Sequence, residues 1–355
     1  MRLGIEAIYN SNKYITGIER YLFLMLEALG QVDNSILDEI VLFVSQPLDV
    51  SASVNGIRIS QKISDVETLP ILVTKEKLGL LHSTFVPPIG IADVPILYTL
   101  HDVGRYLFPE LMHPIVRDVH IPQFNLLLEQ ENVRLLTVSK TSKKNIESVL
   151  GLASEKISIA KLFVSKNLTS QKNKAPNLRT LKKYKIKPPF FLAVGYFSPT
   201  KNASLIIRAH RKYQLMLKNS KSLVVVGRRG WDKEFERELL LSKNVIRLEN
   251  ISEEELVDLY KLSDKFISAS LIEGFGLPLL ESAFFDCPVV CSDIEVYKEI
   301  LGDTGYYFEP LDEDYLAQLM LLPANPRLQN HKISSFSAKE MGKELLSAYT
   351  SIVLK

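Results

Sequence analysis

Cysteine is nearly absent from this chain, with two in 355 residues. Cys287 and Cys291 stand at a C-x3-C spacing in a strand-like run. That spacing fits neither a zinc clip nor a redox C-x-x-C, so buried free thiols in a reducing compartment are expected. No run of about 18 apolar residues occurs, so no membrane-spanning helix is expected. The opening residues, Met1 to Ile8, are a short strand pattern with Glu6 in it and do not read as a secretion signal. An excess of one charge is missing too, because 43 Lys and Arg face 41 Asp and Glu for a formal charge of +2. Bulk charge therefore argues neither way about nucleic acid, and no nucleic-acid partner is expected. H-E-x-x-H, G-x-S-x-G and Walker loops are all absent. Gly274 and Gly276 have no third glycine at the dinucleotide spacing, so hydride transfer is unsupported.

What is present is an alternation. Apolar strand runs at 3–8, 40–44, 79–82, 95–100 and 135–139 are separated by amphipathic helix patterns, among them 18–29 and 140–150. A second series follows, with strands at 190–195, 222–227, 245–248, 265–270 and 288–292 and helices at 202–217, 253–262 and 277–285. Alternating strand and helix predicts parallel sheets covered on both faces, and two series predict two doubly wound, Rossmann-like domains. The domains are expected at 1–170 and 189–335. Between them, 171–188 reads as a basic linker: from Ser165 to Pro189 there are eight Lys or Arg and no acid. These cations suit either a solvated hinge or contact with anionic lipid headgroups. A last helix is expected at 338–354, with Met341, Leu345, Leu346, Tyr349 and Val353 on one face.

The richest segment is Leu271-Ile272-Glu273-Gly274-Phe275-Gly276-Leu277-Pro278-Leu279-Leu280-Glu281-Ser282-Ala283. A strand runs into two glycines and then a helix. Gly274 and Gly276 permit close approach of backbone to a ligand. Pro278 suits a first helical turn. The helix start at Leu277 offers N–H groups and a positive dipole end to a phosphate. Glu273 in the loop is placed to hydrogen-bond sugar hydroxyls and Glu281 to reach a ribose; the plainer alternative is a strand-to-helix turn with two incidental glutamates.

This segment resembles the E-x7-E element of family-4 retaining glycosyltransferases, which have the GT-B fold, and the resemblance extends over nearly the whole chain. Thr16-Gly17-Ile18-Glu19-Arg20-Tyr21 is similar to the glycine loop of the subfamily that includes bacterial O-antigen mannosyl- and rhamnosyltransferases, where Gly17 would admit a diphosphate. His101-Asp102 follows the 95–100 strand, at the carboxyl end where ligands of parallel sheets bind. By resemblance, His101 contacts the transferred sugar. Gly195 to Asn202 resembles the loop carrying the diphosphate-binding cation, here Lys201. The family's arginine is missing, since Tyr196 and Thr200 occupy its two usual positions. Arg228 and Arg229, after Gly227, are the nearest substitutes, unless both face solvent. Ser252 to Glu255 is a capping box beside the expected nucleobase, and Glu249 stands where the family has glycine. Asp312-Glu313-Asp314 imitates a metal-binding D-x-D motif, but acids at a helix start explain it better; no metal and no cofactor are expected.

The resemblance implies two domains facing a cleft, with the 336–355 helix crossing back to the first. It implies transfer of a hexose, mannose or rhamnose, from a nucleoside diphosphate sugar, GDP-mannose foremost, to a glycan or lipid-linked glycan in polysaccharide synthesis. The expected location is the cytoplasm or the inner membrane face. The expected catalytic residues are His101, Glu273 and Lys201. The expected donor-binding residues are Gly17, Gly195, Lys201, Arg228, Arg229, Gly274, Phe275, Gly276, Leu277 and Glu281. The alternative is an impaired nucleotide-sugar-binding or scaffold protein of the same fold.

Overall fold

A computed structural model describes residues 1–8, 17–33, 36–323 and 331–353. Thr16 and Leu354, both named above, lie outside them. The chain divides into two compact units, residues 1–163 with 336–355, and residues 164–335.

The first unit is built on eight strands: β1 (Arg2–Ala7), β2 (Glu39–Val44), β3 (Ser53–Val54), β4 (Ile57–Ile63), β5 (Leu80–Ser83), β6 (Ile96–Thr99), β7 (Val133–Thr137) and β8 (Ile157–Ile159). Their order is β3-β4-β2-β1-β5-β6-β7-β8, all parallel except the short β3–β4 edge pair. Runs such as Glu39-Ile-Val-Leu-Phe-Val44 are buried along their whole length, as a parallel sheet covered on both faces requires. Glu6 is the exception in β1. Its buried carboxylate accepts from the N–H groups of Ile8, Thr84, Phe85 and Val86 and from Ser83 Oγ. Burial pushes its pKa up, and the four donors from Ser83 to Val86 tie the end of β5 and the loop after it to the end of β1.

The second unit has six strands: β9 (Phe190–Val194), β10 (Ser222–Val226), β11 (Val245–Leu248), β12 (Lys265–Ser268), β13 (Val289–Ser292) and β14 (Tyr306–Phe308). The order is β11-β10-β9-β12-β13-β14, parallel throughout. Within this unit that is the 3-2-1-4-5-6 order of a dinucleotide-binding sheet, with its switch point between β9 and β12. Cys287 and Cys291 are buried and unpaired by disulfide. Burial pushes Cys287 up to about 12.

Two boundaries differ from the sequence reading. The second unit starts at Val164 rather than after 170, and 171–188 is not a free linker. The helix Leu178–Lys183 is capped by Asn177 and lies on the helix Glu253–Leu262. Thr180 Oγ1 donates to Asp258 at 2.6 Å, and Lys183 and Tyr184 both bond Glu255. Lys172 pairs with Asp286. Acids distant in sequence thus neutralise part of a stretch that looked purely basic. The reading also passed over β4, whose polar residues alternate with apolar ones, and β8 and β14, which are only three residues each.

The helix Ala338–Val353 packs in the first unit on the helix Gly17–Leu29. Met341, Leu345, Ala348 and Tyr349 are buried, whereas Val353, expected on the same face, is exposed. Gly342 is required here, since a Cβ would lie 2.4 Å from the Ala28 carbonyl oxygen. Gly342→Ala is therefore expected to destabilise the first unit by about 1–3 kcal/mol, the usual cost of overpacking. Urea denaturation followed by a first-unit probe measures it, and an unchanged midpoint would show that the helix tolerates a wider separation.

Candidate functional site

The loops after β9, β10 and β12 leave neighbouring strands at one edge of the second sheet. The loop after β9 runs through Gly195 to a short 3-10 turn, Pro199–Lys201. That turn ends at Asn202, which takes the left-handed conformation at φ 50° and donates from Nδ2 to the Pro310 carbonyl. Leu271 N–H donates to Thr200 C=O at 2.9 Å, joining the loops after β9 and β12. Lys201 and Glu273 meet across the switch point, with Lys201 Nζ 2.5 Å from Glu273 Oε1. Their side chains are 33% and 14% exposed, so the pair faces solvent only in part.

The same oxygen takes two further donors. Ser270 Oγ lies at 2.8 Å and Tyr297 OH at 3.3 Å. Tyr297 comes from the helix Glu295–Leu301 after β13, and its hydroxyl also bonds Ser268 Oγ at 2.6 Å. Its ring backs Gly276, where a Cβ would stand 2.8 Å from Tyr297 Cε1. Gly276 is the N-cap of the helix Leu277–Phe284 with φ +103°, a conformation that glycine adopts at no steric cost. Phe275 is buried beside it, and no side chain caps the helix start.

Loops after β9 and β10 are also pressed together. Phe197 bridges to Arg229. A Cβ on Gly227 would fall 1.7 Å from the Gly195 carbonyl oxygen, and one on Gly230 would fall 2.0 Å from that of Phe197. By contrast, a Cβ on Gly195 or Gly17 would meet nothing within 4 Å, so packing does not demand glycine at either position. Arg229 is 72% exposed and pairs with Glu236 at 3.6 Å. Arg228 is half-buried.

Glu281 is 1% exposed, and its Oε2 accepts from Tyr260 OH at 3.0 Å. Eight residues beyond Glu273, it falls on the helix face packed against Glu253–Leu262. Glu249, where glycine was expected, pairs with Arg247 at 2.7 Å. Ser252 and Glu255 form the expected capping box. Asp312 caps the helix Glu313–Leu321 through Tyr315 N–H, while Glu313 and Asp314 pair with Lys212.

In the first unit, His101 lies just past the carboxyl end of β6. Tyr21 presents its ring edge to it, centroids 4.9 Å apart at 86°. His101 Nε2 is buried with no hydrogen-bond partner among the described residues. Asp102 does not bond the imidazole; its Oδ1 accepts from Gly104 N–H at 2.7 Å. Behind Tyr21 runs a buried chain that sequence reasoning missed. Tyr21 OH bonds Thr99 Oγ1 at 3.1 Å, Thr99 bonds His82 Nε2 at 2.7 Å, and His82 Nδ1 bonds Tyr349 OH at 2.9 Å. A histidine inside a strand carries no signal of this, because its two partners, Thr99 and Tyr349, come from distant segments.

Residues 177–335 match the family model described as glycosyl transferases group 1, and this stretch is a domain of that kind. Over 229 residues the chain is 30% identical to O-antigen chain mannosyltransferase B of Escherichia coli, covering 63% of this chain and 59% of that protein. It is 31% identical over 222 residues to O-antigen chain mannosyltransferase RfbU of Salmonella typhimurium, covering 61% and 57%. The chain thus spans less than two thirds of the curated relatives it matches. Among solved structures, WaaG, a glycosyltransferase involved in lipopolysaccharide biosynthesis, superposes with a TM-score of 0.69 at 13% identity, covering 99% of each chain. Anabaena Alr3699/HepE in complex with UDP and glucose gives 0.70 at 16% identity, covering 99% of this chain and 100% of that one. At such identity these likenesses speak for the fold alone, which is GT-B.

Burial holds His82 at about 3 and His101 at about 4, against the usual 6.5. The unfolded chain takes up protons below 6.5 that the folded chain refuses. Stability of the first unit is therefore full above that pH and is lost as pH falls toward 4. Histidine-detected NMR is expected to show both rings neutral and untitrating down to about pH 5. A ring of either residue titrating near 6.5 would contradict the burial described.

Proposed function

Starting from a glycosyl transferases group 1 domain on a GT-B fold, we propose that the chain transfers a hexose from a nucleoside diphosphate sugar with retention of configuration. The observation that carries this reading is the meeting of Lys201 and Glu273 at the sheet's switch point. A cation and a carboxylate side by side suit a donor whose diphosphate needs neutralising and whose sugar needs orienting. Lys201 and the uncapped helix start at Leu277 act on the departing diphosphate by preorganised electrostatics. Gly195 and Gly274 to Gly276 leave room for it, and Arg228 supplies part of the charge absent at Thr200. Glu273 holds a sugar hydroxyl. His101, with a neutral ring and an Nε2 unpaired among the described residues, offers one hydrogen bond to a sugar hydroxyl in the first unit. No protein nucleophile, metal or cofactor is assigned, and a phosphate oxygen takes the acceptor proton.

Mannose is the favoured sugar because both curated relatives above carry mannosyltransferase names. GDP-mannose is the first donor to test, with an O-antigen-like glycan or lipid-linked glycan as acceptor. A panel of GDP, UDP, dTDP and ADP with their sugars, read by thermal shift and transfer assays, tests the reading. Glu273→Ala is expected to abolish most turnover, and Arg228→Ala to weaken nucleoside diphosphate binding about tenfold, as a lost charge-assisted hydrogen bond would. Stabilisation by none of the panel would sink the proposal.

The second reading, an impaired nucleotide-sugar-binding protein, draws support from Thr200, Tyr196 and the outward Arg229. Donor hydrolysis in the absence of acceptor distinguishes the two, since only an active enzyme releases the nucleotide.

No helix among the described residues is long and apolar enough to cross a membrane. We place the protein in the cytoplasm, touching the inner membrane face through the exposed lysines of 166–187. Such contact is screened by salt. Flotation with anionic vesicles is expected to weaken between low and high salt, and equal binding to neutral vesicles would remove the membrane contact.

A further inference from the structure

The Glu273 carboxylate is unusually lopsided. Oε1 accepts from Lys201, Ser270 and Tyr297, while Oε2 has no protein donor among the described residues. A carboxylate oxygen has two lone pairs, so Oε1 is saturated and Oε2 is the oxygen left for a ligand hydroxyl. Tyr297 OH lies within reach of Glu273 Oε1 at 3.3 Å and of Ser268 Oγ at 2.6 Å, so one buried hydroxyl links the serine to the carboxylate. Tyr297 is itself immobile: its ring is 1% exposed and lies against Gly276. Burial, first, and the Glu273 charge, second, push its pKa well above the usual value, so it stays a donor wherever the protein is folded.

We propose that Tyr297 is a positioning residue of the donor site: its hydroxyl, held by Ser268, keeps Glu273 turned so that Oε2 meets a hydroxyl of the transferred sugar. The inference rests on the reading of the site as one for a nucleoside diphosphate sugar. Its consequence appears when the donor arrives. The diphosphate competes with Glu273 for Lys201, the most strongly charged of the three donors to Oε1. Once Lys201 is drawn away, only the neutral hydroxyls of Ser270 and Tyr297 hold the carboxylate. Glu273 then keeps its place through the step in which the ion pair is broken. Without Tyr297 OH, one hydroxyl remains, and the carboxylate is free to turn about its last torsion.

The plainer role for Tyr297 is packing beneath the Gly276 turn. Tyr297→Phe separates the two, because it keeps the ring and removes the hydroxyl. Calorimetric binding of GDP and of GDP-mannose to the full chain, or of the nucleotide pair that the panel selects, is compared for wild type and Tyr297→Phe. The variant is expected to fold, with a slightly lower melting temperature, and to keep the wild-type GDP affinity. The gain in affinity that the sugar brings, and kcat, are expected to fall about tenfold, the size of one buried hydrogen bond. Combining Tyr297→Phe with Glu273→Gln is expected to add little to the loss from Glu273→Gln alone, because both act through one carboxylate. An unchanged sugar-dependent gain and kcat, or an equal loss for GDP and GDP-mannose, overturns the inference while leaving the function intact. A wild-type protein that binds no nucleotide overturns the function and this inference with it.

Discussion

The ion pair between Lys201 and Glu273 is the contact on which the second unit's loops depend. It joins two segments 72 residues apart in sequence, and it forms because β9 and β12 are neighbours at the reversal of strand order. Chains leaving the sheet on either side of that point run in opposite directions, which opens a crevice. A lysine and a carboxylate that meet there are half in water, so their mutual attraction is weak beside that of a fully buried pair. On the proposed reading that weakness has a use: a pair exchangeable for a ligand's phosphate would serve as a resting state, whereas a deeply buried pair would resist exchange.

Such a site needs backbone in unusual places, and the cost falls on glycine. Gly227 and Gly230 allow two loops to approach more closely than any Cβ permits. Gly276 needs a left-handed backbone and also sits against the Tyr297 ring. Replacing any of the three would displace backbone, not just a side chain. Gly195 has no such neighbour, so its absence of a side chain is explained by space kept open and not by protein packing.

The architecture was largely legible because parallel strands buried on both faces must be apolar along their whole length. Runs such as Phe190–Val194 and Ser222–Val226 therefore stand out. Other strands did not, since Ile57–Ile63 mixes polar with apolar residues, and a three-residue strand is too short to show a period. Within the site, Glu273, Gly276 and Lys201 were visible because each belongs to a compact local pattern. Tyr297, Ser268, Tyr260 and the His82 chain were not, because each acts through a partner brought in by the fold. The bond from Tyr260 to Glu281 was hidden for the same reason, because the helical face on which Glu281 falls could be judged only against the helix carrying Tyr260. The basic stretch at 171–188 failed similarly: composition counts charges, and Asp286 and Glu255 neutralise two of them from far along the chain.

The two units handle polar groups by opposite means. In the first, burial strips His82 and His101 of charge, and a chain of hydroxyls holds the His82 imidazole in place. A neutral ring in such surroundings makes directional hydrogen bonds without the desolvation cost of a cation. In the second, Lys201 and Glu273 remain partly wet and charged, and the neutral hydroxyls of Ser270 and Tyr297 surround the carboxylate. On the proposed reading, charge is thus kept where a diphosphate would be matched, and neutral donors are placed where only orientation is needed. That division follows from solvent access: an ion is tolerable in proportion to the water it keeps, while a hydroxyl or neutral imidazole is limited chiefly by whether its partner is in reach. A mutation that exchanged these roles, placing a charge behind His101 or removing the hydroxyls around Glu273, would therefore do its harm by different physics in the two units, the first through stability and the second through geometry.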